Sequence, residues 1–269
     1  ISNFLISKEV KLKSKLYYQT FIEVFGFNRD SEPIIASGIS LKNSFFPLKT
    51  SIVPHAPYSV SRELFAEIKK VTLTDDIQSI HNQESPGEND LFEKGTGSFA
   101  DFFAKLAIAQ NNDHGAGQNS ISYHLPQMAS DVNTLLVHNT FTGKEDLDFA
   151  NSRHKKLFWC LCPNANLHIE DSLPDVDLLR NAGVKITLGT DSLASNRHLS
   201  ILSEMQTLQK LKDCLFEDVL TWGTLNGAEF LGISNDYGSF SIGKTPGVLL
   251  VEGMLNEQIK DDTTIKRLF

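Results

Sequence analysis

Four apolar runs of this sequence close on a side chain that can hold a proton or a metal ion. SIVPHAPYS places His55 just past its run, SIHNQES places His81 at the end with Glu84 three residues on, LLVHNT ends on His138, and KITLGTDS ends on Asp191. Imidazole and carboxylate groups ligate catalytic divalent ions and also serve as general acids and bases. A lone histidine at a strand end commonly satisfies a hydrogen bond and nothing more. An aspartate after Gly-Thr commonly caps the next helix, but here Ser192 and Ser195 are available for that cap. Recurrence at successive runs favours a shared candidate metal or acid–base site. The remaining histidines (His114, His124, His154, His168 and His198) fall in loops or beside helices and are expected to be structural or solvated. Cys160 and Cys162 are expected to face opposite sides of one strand and to serve packing, not chelation.

The elements that must carry these residues follow from the pattern. The segments 19–27, 49–56, 76–82, 133–139, 156–163 and 184–191 are rich in Val, Ile, Leu and Phe without clean alternation, as in strands covered on both faces. Between them, 61–71 reads as a helix with apolar Leu64, Ile68 and Val71 on one face, and 143–153 and 171–183 also read as helices, the latter stopped by Gly183. The segments 198–211 and 214–232 form a helical tail. Strand–helix alternation predicts parallel β/α units and a (β/α)₈ barrel, in which strand ends converge on one mouth. Only six strands are legible, two short of eight. The stretches 84–99 and 111–122 read as Gly-rich loops, and 236–253, with turn signals before Val248 to Val251, reads as a hairpin outside the barrel.

Composition excludes several classes. The chain has 269 residues, a 41% hydrophobic fraction and a net charge of −8, which suits one large domain with a small appendage. It argues against nucleic acid or an anionic membrane as partner. No run approaches the roughly 18 apolar residues of a membrane span. Three cysteines without regular spacing suggest a reducing, cytoplasmic compartment.

The series PHAPYS, HNQE, VHNT, CPNAN and GTDSLASN, in this order, resembles the amidohydrolase superfamily, and within it the chlorohydrolase and purine-type deaminase branch. The resemblance spans about residues 17 to 252. It implies an α/β fold, a (β/α)₈ TIM-type metallo-hydrolase barrel lacking its first strands in this chain, over 1–235. It also implies the C-terminal part of a small β-sandwich domain over 236–269. It implies one divalent metal, zinc or else iron, with His81 and Asp191 as ligands, and Glu84, His138 and Asp191 as catalytic groups. His55 would contact substrate; Phe102, Asn166 and Ser195 are expected beside it. The activity implied is hydrolytic deamination of an aminated purine-like nucleoside or heterocycle, aminofutalosine-like or adenosine-like, with a small-molecule substrate and a homodimer allowed. Alternatives are a hydrolase of a cyclic amide or halogenated heterocycle, or an inactive small-molecule-binding relative. The family's first-strand H-x-H pair is missing from this chain. With two protein ligands, the metal is expected to be absent or weakly held here.

Overall fold

A computed structural model describes residues 1–269. The chain forms two compact units, one of residues Ile1–Val137 and Phe141–Leu157, the other of His138–Thr140 and Phe158–Phe269.

The first unit contains the strands β1 (Gln19–Val24), β2 (Lys49–Pro54), β3 (Gln78–Asn82) and most of β4 (Thr134–His138). β1 and β2 pair in parallel from Gln19↔Lys49 to Val24↔Pro54, and β3 lies beside β4. β2 is buried at every position but its first, the polar Thr50 and Ser51 included, as in a strand covered on both faces. The helices of this unit are α1 (Lys8–Lys13), α2 (Ser31–Ser44), α3 (Arg62–Val71), α4 (Pro86–Lys94), α5 (Ser98–Lys105), α6 (Ser120–His124) and α7 (Lys144–Arg153). α3 starts where Ser61 accepts the Leu64 amide at 3.2 Å, and it buries Leu64, Phe65 and Ile68. α2 packs on β1 and β2 through Gly38, where an added Cβ would meet Val24 at 3.2 Å and Ile52 at 3.5 Å.

The second unit contains β5 (Leu157–Leu161, Leu157 lying in the first), β6 (Lys185–Leu188), β7 (Leu249–Glu252) and β8 (Thr264–Arg267). Its helices are α8 (Pro163–Glu170), α9 (Val176–Asn181), α10 (Ile201–Lys212), α11 (Phe216–Gly223) and α12 (Leu225–Phe230). β5 and β6 pair in parallel from Phe158↔Lys185 to Leu161↔Leu188, and β7 and β8 pair antiparallel. The terminal β7–β8 segment docks on α10 through a reciprocal pair: Gln209 Nε2 donates to the Glu257 carbonyl at 2.9 Å and Gln209 Oε1 accepts the Ile259 amide at 3.0 Å.

All six strands expected from the sequence form. Several helical boundaries differ. The stretch 84–99 is mostly α4 and the start of α5: Pro86 suits the first helical position and Gly95, at φ +68°, ends α4. Within 111–122, α6 begins at Ser120. The helix expected over 171–183 begins only at Val176, because Pro174 lacks an amide hydrogen and Asp175 caps the turn through the Leu178 amide. The tail 214–232 breaks at Thr224 (φ −131°, ψ −80°) into two helices. In 236–253 only Leu249–Glu252 is a strand, and its partner lies downstream in β8.

Candidate active site

In the first unit the ends of β2 and β3 carry His55 and His81, whose rings lie 4.9 Å apart. The main chains are joined by the His81 amide, which donates to the His55 carbonyl at 3.0 Å. That same carbonyl lies 2.6 Å from His81 Nδ1. A carbonyl only accepts, so Nδ1 carries the proton and Nε2 is the lone-pair nitrogen. Glu23 Oε1, on β1, lies 3.6 Å from the same Nδ1. His55 has the same tautomer: Ser59 Oγ donates to the Ala56 carbonyl, so it accepts from His55 Nδ1 at 2.8 Å. Burial, and then the neighbouring His81, lower the His55 pKa to about 4, so this ring is neutral at pH 7.

Glu84 follows a tightly held turn. Gln83 sits at φ +46°, a backbone region that side chains rarely adopt, and every polar group of it is used. Its amide donates to Glu88 Oε1 at 2.8 Å, its Nε2 to Asp146 Oδ2 at 2.9 Å, its Oε1 accepts from Thr142 Oγ1 at 2.7 Å, and its carbonyl accepts the Phe141 amide at 3.0 Å. Glu88, four residues beyond Glu84 on α4, is fully buried and also accepts from Ser120 Oγ, while its Oε2 has no partner. Burial raises its pKa to about 7, partly offset by those hydrogen bonds. Negative groups converge here: burial first, and then the charges of Glu88, Glu84 and Glu23, push the Tyr58 hydroxyl pKa upward. The Tyr58 ring meets His55 edge-on and stacks on Phe99 at 4.1 Å.

In the second unit His138 is 1% exposed and sits at φ +78°. Its Nδ1 lies 3.1 Å from Asn166 Oδ1, and Asn166 Nδ2 donates to Thr140 Oγ1. The amide orientation therefore makes His138 Nδ1 the donor and Nε2 the lone-pair nitrogen, as in His55 and His81. Asp191, at φ +54°, follows β6 on the exposed surface of this unit. Its Oδ2 accepts from Ser195 Oγ, and Asn196 Nδ2 donates to the Thr190 carbonyl at 2.8 Å. This explains the polar crowd behind Asp191: the residues that follow it fold back and fix its strained backbone.

Phe102 is 52% exposed and points away from the core, while Phe103 is buried and Phe99 holds the place on Tyr58. Asn166 is fully buried, with its amide bonded to His138 and Thr140. The expectation for the two cysteines needs correction. Cys160 and Cys162 lie on the same side: both thiols face the Cα of Gly189, whose added Cβ would meet them at 2.9 and 3.3 Å. Side chains two apart on a strand share a face. Ser195 is buried and bonds Asp191. Glu88 and Glu204 were not singled out in the sequence. Each is an acid in an ordinary helical segment, and burial alone distinguishes it.

His81 meets the orientation rule for a metal-ligating imidazole, with Nδ1–H given to a carbonyl and Nε2 presented. Asp191 has one carboxylate oxygen occupied by Ser195. Within each unit, no group of three or more His, Cys, Asp or Glu is arranged to hold an ion.

Parallel β/α units with histidines and an aspartate at the strand ends define a metallo-hydrolase class of fold. The chain belongs to the amidohydrolase family, whose model matches residues 30–268. It is 28% identical to an adenosine deaminase of Helicobacter pylori over 87% of this chain, and 26% identical to a 5'-deoxyadenosine deaminase of Methanosphaera stadtmanae over 86% of it. It spans 59% and 52% of the lengths of those two relatives. The crystal structure of Helicobacter pylori aminofutalosine deaminase in complex with methylthio-coformycin superposes with a TM-score of 0.80 at 27% identity, covering 90% of this chain and 60% of that one. A zinc-bound adenosine deaminase of Xanthomonas campestris shares the fold at a TM-score of 0.66 and 22% identity, covering 86% of this chain and 51% of that one.

Proposed function

We propose that the protein is a metal-dependent hydrolytic deaminase of an adenosine-type nucleoside, with aminofutalosine-like compounds included. The observation that carries this is His81. Its Nδ1 is locked on the His55 carbonyl beside Glu23, an arrangement suited to a metal ligand, on a chain whose relatives are nucleoside deaminases. In the same reading 1–235 is the catalytic barrel and 236–269 part of a small β-domain. The location is cytoplasmic, and all three cysteines are free thiols. No helix is long and apolar enough to cross a membrane.

His81 and Asp191 would hold the ion, zinc by preference, with further ligands needed to reach the three that catalytic sites use. When bound, the ion lowers the pKa of a coordinated water toward neutrality. His138, with Nδ1–H given to Asn166, accepts a water O–H at Nε2 and so orients the attack on the carbon bearing the amino group. Asp191 takes a proton from the water. Glu84 donates a proton to the ring nitrogen, takes one from the hydroxyl of the addition product and gives it to the departing amine, and is restored by the proton that Asp191 took from the water, so that water and the amino carbon yield a carbonyl and ammonia. His55, neutral at pH 7, offers substrate an acceptor nitrogen and carries no charge. The Tyr58–Phe99 pair offers a flat apolar surface for a ring.

Ammonia release by the full-length protein tests the reading, with adenosine, 5'-deoxyadenosine and aminofutalosine as substrates. We expect turnover that a chelator abolishes and zinc restores, and a loss of at least a hundredfold in D191N. Hydrolysis of a chlorinated triazine or a cyclic amide with no nucleoside turnover would replace it, and binding without turnover of any of them would overturn it.

A further inference from the structure

Glu204 carries a carboxylate where burial alone forbids one. It lies in the first turn of α10, is 0% exposed, and is raised in pKa by that burial. A buried carboxylate persists when its oxygens are taken up by donors. Here Oε2 accepts the Asn164 amide at 2.8 Å, at the N-terminal turn of α8, and Oε1 accepts Asn164 Nδ2 at 3.0 Å and Asn196 Nδ2 at 2.7 Å. Both asparagine amides have fixed orientations. Asn164 Oδ1 accepts from Thr207 Oγ1 at 2.6 Å, and the other donor of Asn196 goes to the Thr190 carbonyl at 2.8 Å. One carboxylate therefore joins α10, the start of α8 and the loop 189–196. The Asn196 amide passes that anchor to the residue immediately before Asp191. Asp191 needs the anchor, because its left-handed backbone (φ +54°) is one that surrounding contacts must hold in place.

We propose that Glu204 is a positioning residue for Asp191: through Asn196 and the Thr190 carbonyl it holds the turn that carries the carboxylate proposed above to ligate a divalent ion. This rests on Asp191 being a ligand, as proposed above. Glu204 itself touches neither Asp191 nor substrate. A neutral amide at 204 keeps the shape but turns one acceptor into a donor facing an N–H of Asn164 or Asn196, so the turn loses its anchor while the helix stays.

Zinc affinity separates this role from simple bracing. Full-length wild type, E204Q, N196A and D191N are loaded with zinc and titrated with a competing chelator, and each is melted in its zinc-free form. We expect D191N to lose tight zinc, and E204Q and N196A each to weaken it by roughly 10–100-fold, the usual effect of removing an outer-shell partner. Zinc-free N196A should melt within a few degrees of wild type. Wild-type zinc affinity in N196A, whatever the folding of E204Q, overturns the proposal while leaving Asp191 a ligand. A lower melting temperature in E204Q with zinc affinity within twofold also overturns it, by making Glu204 a brace only. Wild-type affinity in D191N overturns the ligand reading, and the positioning role with it.

Discussion

At the scale of single residues, the three strand-end histidines share one chemical state reached in three ways. His81 gives Nδ1–H to a main-chain carbonyl, His55 to a serine hydroxyl that is itself donating, and His138 to an asparagine whose amide is oriented by Thr140. Ser59 lies inside the PHAPYS motif that marks His55, whereas the partners of His81 and His138 come from other segments of the chain. Glu88 is the matching acid. With a folded pKa of about 7 against 4.5 for an ordinary carboxyl, it keeps its proton in the folded state over a window where the unfolded chain has lost it. The folded state binds more protons there, so this group's contribution falls as pH rises from about 4.5 to about 7. E88Q, which cannot ionise, removes that dependence. Denaturant unfolding of wild type and E88Q between pH 4.5 and 8 should show the mutant gaining relative to wild type by up to about 1.4 kcal/mol per pH unit up to about pH 7. A difference independent of pH would mean that Glu88 is ionised throughout.

At the scale of elements, the loops that follow strands are held from the helices beyond them. Glu88 in the first turn of α4 reaches back to the Gln83 amide, Asp146 in α7 bonds both the Gly143 amide and Gln83 Nε2, and Glu204 in α10 ties the turn before Asp191. Acids at helix starts are favoured by the helix dipole as well. The β5–β6 pair imposes a different constraint. The Gly189 amide donates to the Leu161 carbonyl at 2.9 Å, and its Cα faces the two thiols of Cys160 and Cys162. G189A should destabilise the protein by about 1–3 kcal/mol through overpacking. C160A in the same chain should recover part of that loss, a coupling that a double-mutant cycle in urea measures. Additive effects would place the strain elsewhere than at the Cys160 thiol.

At the scale of the whole molecule, buried histidines set the acid limit. His124 is fully buried on α6, gives Nδ1–H to the Ser120 carbonyl at 2.9 Å and leaves Nε2 without a partner. Burial lowers its pKa to about 4, and that of His55 likewise. The folded state then binds fewer protons than the unfolded chain between pH 6.5 and 4, so stability present above 6.5 is lost as pH falls through that window. Burial shifts His114 and His154 in the same direction, while the raised carboxyls of Glu88 and Glu204 act against these rings. H124N, whose amide can replace the Nδ1 donor, should flatten the acid limb by up to about 1.4 kcal/mol per pH unit, read from urea midpoints at pH 7, 6, 5 and 4. An unchanged acid limb in H124N would assign the loss to other groups.

The sequence by itself determined the strands β1 to β6 and the identity of the groups at their ends, but not β8. β5 (Leu157–Leu161) is apolar at every position because both faces are covered, and this composition survives without coordinates. His55, His81, His138 and Asp191 stand out because polar side chains that end such runs lie at an edge. The sequence misled where composition imitates another state. Around α4, a proline, three glycines and four acids across 84–97 read as a loop, whereas Pro86 and Gly95 mark the ends of a helix. The Cys160 and Cys162 spacing required only the strand's period of two, which places both on one face. What the tertiary structure alone decided is which ordinary polar residues are buried and what they bond. Asn166, Glu88 and Glu204 resemble any surface amide or acid in the chain. Each acquires its role from a partner that folding brings to it, 28 residues away for the His138–Asn166 pair, 32 for Ser120–Glu88 and 40 for Asn164–Glu204. Hydrogen bonds of that separation leave no periodicity in a sequence, because their register is set by packing and not by the local chain.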